Sequence, residues 1–262
     1  MKKTFIIILA VACLFSCEKI DSDKGIVVNN KKMQDFLIAF YDKNKDCKLS
    51  EEEAFNVTHI SVTNSQEPID GLEKFPNLEI LYIPSGKFTK LDVSKNAKLR
   101  QLHCQEHKLS TIDLSNNPEL ESLVCDNGEL TSLYLNNHPK FFHLSCAYNN
   151  LQTLDLRNVP NVITVKCENN IFLRSIILNN NSKLSQLWCS RNSLQLLDLS
   201  SCPELVILSC SNNSLTELDL SNNLKITYVD CKMDNKLQTL YLKIGQIIQS
   251  IHKDAHTTIV YL

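Results

Sequence analysis

Seven cysteines stand at positions 104, 125, 146, 167, 189, 210 and 231, with gaps of 21, 21, 21, 22, 21 and 21 residues. So regular an interval means that the chain is built from stacked copies of one unit. Aligned on the cysteines, one copy reads Leu99-x-x-Leu102-x-Cys104-x-x-His107-x-Leu109-x-x-Ile112-Asp113-Leu114. Further copies begin at Leu120, Phe141, Val162, Leu184, Leu205 and Ile226. An upstream copy, Leu78-x-x-Leu81-x-Ile83, has isoleucine in place of cysteine. One unit cannot bury its leucines alone, but a coil of units buries a continuous core.

Within each unit, x-L-x-C-x alternates with period 2 and reads as a short parallel strand. Leu102, Cys104, Leu109, Ile112 and Leu114 point inward. Asn149, Asn170, Asn192 and Asn213 fall where the chain turns, and there an inward amide can bond main-chain groups that the turn leaves unpaired. His107, Gly128 and Asp234 break that column, Cys202 stands in a second one beside Asn117 and Asn223, and extra residues near 171 and 235 imply small bulges. Val57 to Val62 reads as the first strand, and 71–78 as the irregular half of an early unit. The pattern dissolves after Leu242, and 257–261 reads as a last strand covering the open end.

Over residues 78–242 this unit resembles the leucine-rich-repeat family, in its 21-residue form with a cysteine ladder. The resemblance implies a curved right-handed solenoid of short parallel strands with an irregular convex side, which binds macromolecules on an exposed face. The expected organisation is a signal peptide at 1–16, a tether at 17–30, a helical cap at 31–57, the solenoid at 58–242 and a C-terminal cap at 243–262.

The ladder could in principle form disulfides, bind zinc or simply be buried. Equivalent side chains on neighbouring parallel strands stand about 4.8 Å apart and side by side, whereas a disulfide needs Cβ atoms at about 3.8 Å on converging vectors. Zinc needs tetrahedral convergence, usually from closely spaced pairs such as C-x-x-C, and none occurs. The reading is a column of small buried thiols.

At the N-terminus, Lys2 and Lys3 precede an apolar run, Thr4 to Phe15, too short to span a bilayer. It ends in Leu14-Phe15-Ser16-Cys17, which resembles the lipobox of bacterial lipoproteins and marks Cys17 for acylation. Lys31 to Tyr41 reads as an amphipathic helix. The following segment resembles an EF-hand loop, with Asp42, Asn44, Asp46, Ser50 and Glu53 at side-chain ligand positions and Lys48 offering a carbonyl; the resemblance implies one weak calcium site. Against it, the sharp-turn position holds Cys47 rather than glycine, three lysines lie in the loop, and no second loop exists. Ser50-x-x-Glu53 is also a capping box, which needs no metal. Glu51 to Val57 completes a helical run.

The net charge is -2 and no basic block appears, which argues against a nucleic-acid surface. His103-x-x-Glu106-His107 matches a metalloprotease pattern, but that chemistry needs both histidines on one helix face, and the repeat puts His103 on a strand and His107 in a turn. His252 and His256 lack a third ligand. The aspartates at 92, 113, 155, 198 and 219 read as a hydrated ridge, or as a second cation site between coils. The outward strand positions offer the candidate ligand surface: Tyr82, His103, Lys166, Trp188 and Asp230 in one column, flanked by His143 and Tyr228. Trp188 is the one tryptophan in the chain. Exposed aromatic rings are enriched at binding hot spots. The expected function is therefore non-enzymatic binding of a protein or glycan through the concave face. The expected setting is a lipid-anchored protein exposed on the outer membrane. A ligand-free scaffold lipoprotein, or an envelope hydrolase, is the alternative.

Overall fold

A computed structural model describes residues 25–64, 68–234 and 236–262. The apolar leader, Cys17 and the tether up to residue 24 lie outside the described residues.

The first helix, Lys31–Tyr41, has the bounds expected from its apolar spacing and is capped by Asn30, whose side chain accepts the Met33 N–H at 2.9 Å. Met33 and Leu37 are fully buried, so the helix closes one end of the core. The second helix is shorter than the expected run. It spans Glu51–Phe55 and begins in a complete capping box of Ser50 and Glu53.

The coil then builds one ten-stranded parallel sheet. Its rungs run from His59–Ser61, shorter than the expected 57–62, through Ile80–Tyr82, Gln101–His103, Ser122–Val124, His143–Ser145, Thr164–Lys166, Gln186–Trp188, Ile207–Ser209 and Tyr228–Asp230 to Ser250–His252. The last rung lies beyond Leu242, where the repeat signature fades: Tyr228 pairs in register with Ser250, and Asp230 with His252. Across the coil are two smaller parallel sheets. One joins Thr153–Asp155 to Ser175–Ile177. The other joins Glu217–Asp219, Thr239–Leu242 and Thr258–Tyr261. The final strand is thus a paired member of a sheet. The extra residue near 171 leaves Ile171 and Phe172 exposed.

Between the two sides lies one core. Leu102, Cys104, Leu109, Ile112 and Leu114 are all buried, as are their counterparts in the following turns, and each buried leucine contributes about 2 kcal/mol. All eight described ladder and column thiols, Cys202 included, are free and buried. Asparagines stitch the turns together. Asn149 Nδ2 donates to the carbonyls of Cys125 at 2.9 Å and Cys146 at 3.1 Å, and Asn192 to those of Cys167 at 3.1 Å and Cys189 at 2.8 Å. On the opposite side Asn117 and Asn223 do the same for their neighbours. Gln246, past the end of the legible pattern, takes over there, reaching the Leu220 and Asn223 carbonyls.

The aspartate ridge forms turns. The Oδ1 atoms of Asp92, Asp113, Asp155, Asp198 and Asp219 accept the N–H two residues ahead, at 2.8–3.0 Å. Hydrogen bonds from Ser94, Ser115, Arg157 and Ser200 hold the first four below the usual carboxylate range. Each turn also places a residue in the left-handed region: Ser85, Glu106, Asn127, Tyr148, Asn169, Arg191, Asn212 and Met233, with φ between 55° and 60°. None is glycine, although a side chain there costs on the order of 1 kcal/mol.

Candidate binding face

Because every strand is parallel and in register, equivalent outward residues form straight columns. Lys166, Trp188 and Ser209 are direct neighbours, as the repeat phase requires. Tyr82 rests on His103 with ring centres 5.5 Å apart, and Tyr228 rests on His252 at the same distance. Tyr82 and Lys166 are exposed, whereas His103, His143, Trp188, Tyr228 and Asp230 are half-buried. The expected ligand residues do not converge on one spot. Tyr82 sits on the second rung and Tyr228 and Asp230 on the ninth, roughly 34 Å apart at about 4.8 Å per rung. The centre of the face is His143, Lys166 and Trp188. The Trp188 indole N–H is covered and has no acceptor. Burial holds His103 and His143 below the usual imidazole range.

A third column, beside the other two, bounds an open groove of about 410 Å³. It runs through Asp126, Ala147, Glu168, Ser190 and Ser211. The main-chain ladder continues past the strands here: Asn127 N–H bonds to the Ala147 carbonyl, Tyr148 to Glu168, Asn169 to Ser190 and Arg191 to Ser211, at 2.8–3.0 Å. Asp126 reaches across one rung, accepting the Ser145 hydroxyl at 2.8 Å and the Ala147 N–H at 2.7 Å. Ser190 is linked to Ser209 at 2.8 Å and to Ser211 at 3.0 Å. Glu168 Oε2 is covered and unpartnered, and burial raises its carboxyl above the usual range. Of these groove residues the sequence singles out Lys166 as a ligand residue and puts Ser145 and Ser209 in the same outward strand column. The signal was present, since carrying the strand alternation one step past each cysteine reaches Asp126 and Glu168.

At the other end, the loop after the first helix is tightly curled. Asp42 accepts the N–H groups of Lys45 and Cys47 at 2.7 and 2.8 Å, both residues being left-handed with φ of 61° and 63°. Asp46 accepts the Lys48 N–H at 2.9 Å, and Glu53 accepts those of Lys43 at 2.7 Å and Ser50 at 2.9 Å. These bonds, led by the one from Ser50, hold Glu53 below the usual range. The oxygen-rich donor set suits a hard cation. Among the described residues no group of three or more His, Cys, Asp or Glu side chains is arranged to hold a metal ion. His103 faces outward on its strand while His107 is buried in the turn column, and His252 lies on a strand against Tyr228. Neither histidine pair therefore occupies a helix face. No described helix is long and apolar enough to cross a membrane.

No family model and no curated protein matches the chain. Solved structures do. The functional domain of InlJ from Listeria monocytogenes, which includes a cysteine ladder, superposes with a TM-score of 0.72 and 24% identity, over 88% of this chain and 61% of that one. The fold is a leucine-rich-repeat solenoid. The leucine-rich-repeat domain of APL1B matches at a TM-score of 0.52 and 19% identity, over 71% of each chain. A chain of the octameric complex of Latrophilin 3, Unc5D and the FLRT2 leucine-rich repeats matches at 0.56 and 17%, over 71% of this chain and 75% of that one. This solenoid spans only 61% of the InlJ domain's length. The likeness to all three is one of fold.

Proposed function

We propose that this leucine-rich-repeat chain is a non-enzymatic recognition protein. It binds a protein partner across the outward face of its ten-stranded sheet and is held at the outer membrane, surface-exposed, by a lipid on Cys17. The observation that carries the reading is the set of side chains at the centre of the sheet, where His143, Lys166 and Trp188 sit on nearby rungs of a rigid ladder. A large ring fixed in place loses little entropy on binding. The FLRT2 leucine-rich repeats are themselves part of a complex with Latrophilin 3 and Unc5D. A pure scaffold would need no such ring, and a zinc hydrolase of the H-x-x-E-H type would need both histidines on one helix face, whereas His103 lies on a strand.

Two measurements test it. Once a partner has been captured and its affinity measured by surface plasmon resonance, Trp188→Ala should weaken binding by on the order of 2 kcal/mol, roughly 30-fold, with the melting temperature unchanged. An unchanged affinity would move the site off this face. Separately, Cys17→Ala should abolish fatty-acid labelling and release the protein from membranes. Persistent labelling would refute the anchor. We also propose that Asp42, Asn44, Asp46, the Lys48 carbonyl, Ser50 and Glu53 take one weakly held calcium ion, a reading supported by the tight curl of the loop and its all-oxygen donors.

A further inference from the structure

We infer that the groove over Ala147 is a binding site for a neutral saccharide unit, with Tyr148 as its stacking wall and Asp126 and Glu168 as its hydroxyl acceptors. The site adjoins the proposed protein-binding centre, with Lys166 on the edge of both, and does not depend on it.

The groove exists because the third column carries alanine between two acids. Asp126, Ala147 and Glu168 occupy successive rungs, so the two carboxylates flank a recess with no side chain beyond a methyl group. Each can accept a hydroxyl proton. Asp126 already takes two neutral donors, the Ser145 hydroxyl and the Ala147 N–H, which shows that hydroxyl and amide hydrogens suit this environment. Glu168 lines the groove, and its Oε2 is buried without a partner, a state that costs on the order of 1–3 kcal/mol and that a turn of the carboxylate toward a ligand hydroxyl would relieve. The linked hydroxyls of Ser190, Ser209 and Ser211 extend the floor and can each donate or accept.

Charge decides what kind of donor fits. An anion would meet Asp126 and Glu168 on the floor. A cation would meet Lys166 and Arg191, which line the same groove. A neutral polyol meets neither objection: its hydroxyls can donate to the carboxylates and accept from the lysine and arginine. The wall supplies the remaining element. Tyr148 lines the groove, is 55% exposed, and is held at φ 56°. The flanking turns carry Asn127 and Asn169 at this position, and asparagine tolerates the left-handed region far better than tyrosine. The phenol ring is therefore displayed at a conformational cost on the rim of a hydroxyl-lined recess, where the apolar face of a pyranose can stack on it.

The test titrates the full chain, in a non-sugar detergent, with glucose, galactose, mannose, N-acetylglucosamine and their 1,4-linked disaccharides. The readouts are calorimetry and tyrosine ring resonances. At least one saccharide should saturate with a millimolar dissociation constant, about -4 kcal/mol. Tyr148→Asn should raise the melting temperature yet weaken that saccharide at least tenfold, a pairing that misfolding cannot produce. Glu168→Gln should also weaken it, while Trp188→Ala should not. No saturation by any of the panel at about 50 mM, far above the expected constant, would overturn the proposal. So would binding indifferent to both groove variants, or a groove that takes glucuronate or an arginine peptide instead. Protein-partner binding lost in Trp188→Ala with saccharide binding intact would separate the two sites.

Discussion

A Cβ placed on Gly128 would stand 2.1 Å from Cε1 and 2.4 Å from Nε2 of His107. One imidazole thus fills two slots of the asparagine column. In other turns an asparagine Oδ1 accepts an N–H from the turn before, as Asn149 does from Leu130 and Asn170 from Leu151. At residue 128 no side chain can do so, and His107 Nδ1 accepts the Leu109 N–H in its stead at 3.0 Å, while Nε2 reaches the Cys125 carbonyl at 3.3 Å. The glycine is the space the ring needs.

Gly128→Ala should therefore destabilise the solenoid by about 1–3 kcal/mol, since the ring is only 3% exposed and has nowhere to move. The double variant His107→Asn, Gly128→Asn should regain most of that loss by restoring the ordinary column. Urea denaturation of His107→Asn, Gly128→Asn and the double variant measures the coupling; additive effects would mean that the two positions are independent.

Asp234 occupies the same column several turns on, and its fit is poorer. Its Oδ1 accepts the Asn213 N–H at 2.9 Å, but Oδ2 is buried without a partner. Burial raises its pKa to about 6, above the roughly 3.9 of an unfolded chain. The folded state therefore prefers the proton, so this stabilisation is complete below about pH 4 and is lost as pH climbs through 6. Asp234→Asn should raise stability at pH 7 by on the order of 2 kcal/mol and change little at pH 4. Thermal melts at the two pH values decide it, and a gain equal at both would discard the titration argument.

The ladder thiols should be chemically silent until the coil opens. Burial pushes Cys125, Cys146, Cys167, Cys189 and Cys210 far up, and Cys231 to about 12. A thiol reagent at pH 8 should label none of the eight buried cysteines in the native protein, and all eight once it is unfolded without reductant. Rapid native labelling would show that the turns breathe locally.

Calcium at millimolar concentration should raise the melting temperature, because a ligand bound only by the folded state stabilises it. Glu53→Gln should abolish that rise and also lower the metal-free stability, since Glu53 accepts N–H groups on both carboxylate oxygens and glutamine keeps only one acceptor. Absence of any heat on calcium titration would leave the cap as the whole role of the loop.

The coil was legible because two periods reinforce each other: alternation within each strand, and the cysteine interval between strands. Together they placed Leu102 and Cys104 in the core and Lys166 beside Trp188. The left-handed column was invisible, since Ser85, Glu106, Tyr148, Arg191 and Met233 share no chemistry, only a backbone position. The last rung at Ser250–His252 escaped because its turn uses Gln246 where others use asparagine. The groove escaped for a different reason. It is defined by a small residue, Ala147, and by what surrounds it, and a gap becomes meaningful only once neighbouring turns are stacked.

The in-register ladder also fixes how this protein would respond to force. Each turn is bonded to the turn before and the turn after, so tension applied between the two ends loads one interface at a time. The coil should unspool from an end in discrete steps. Each step would release 21 or 22 residues, roughly 70 Å of chain at full extension. A tethered molecule built this way would lengthen under load by whole turns, while the turns still coiled kept their faces intact.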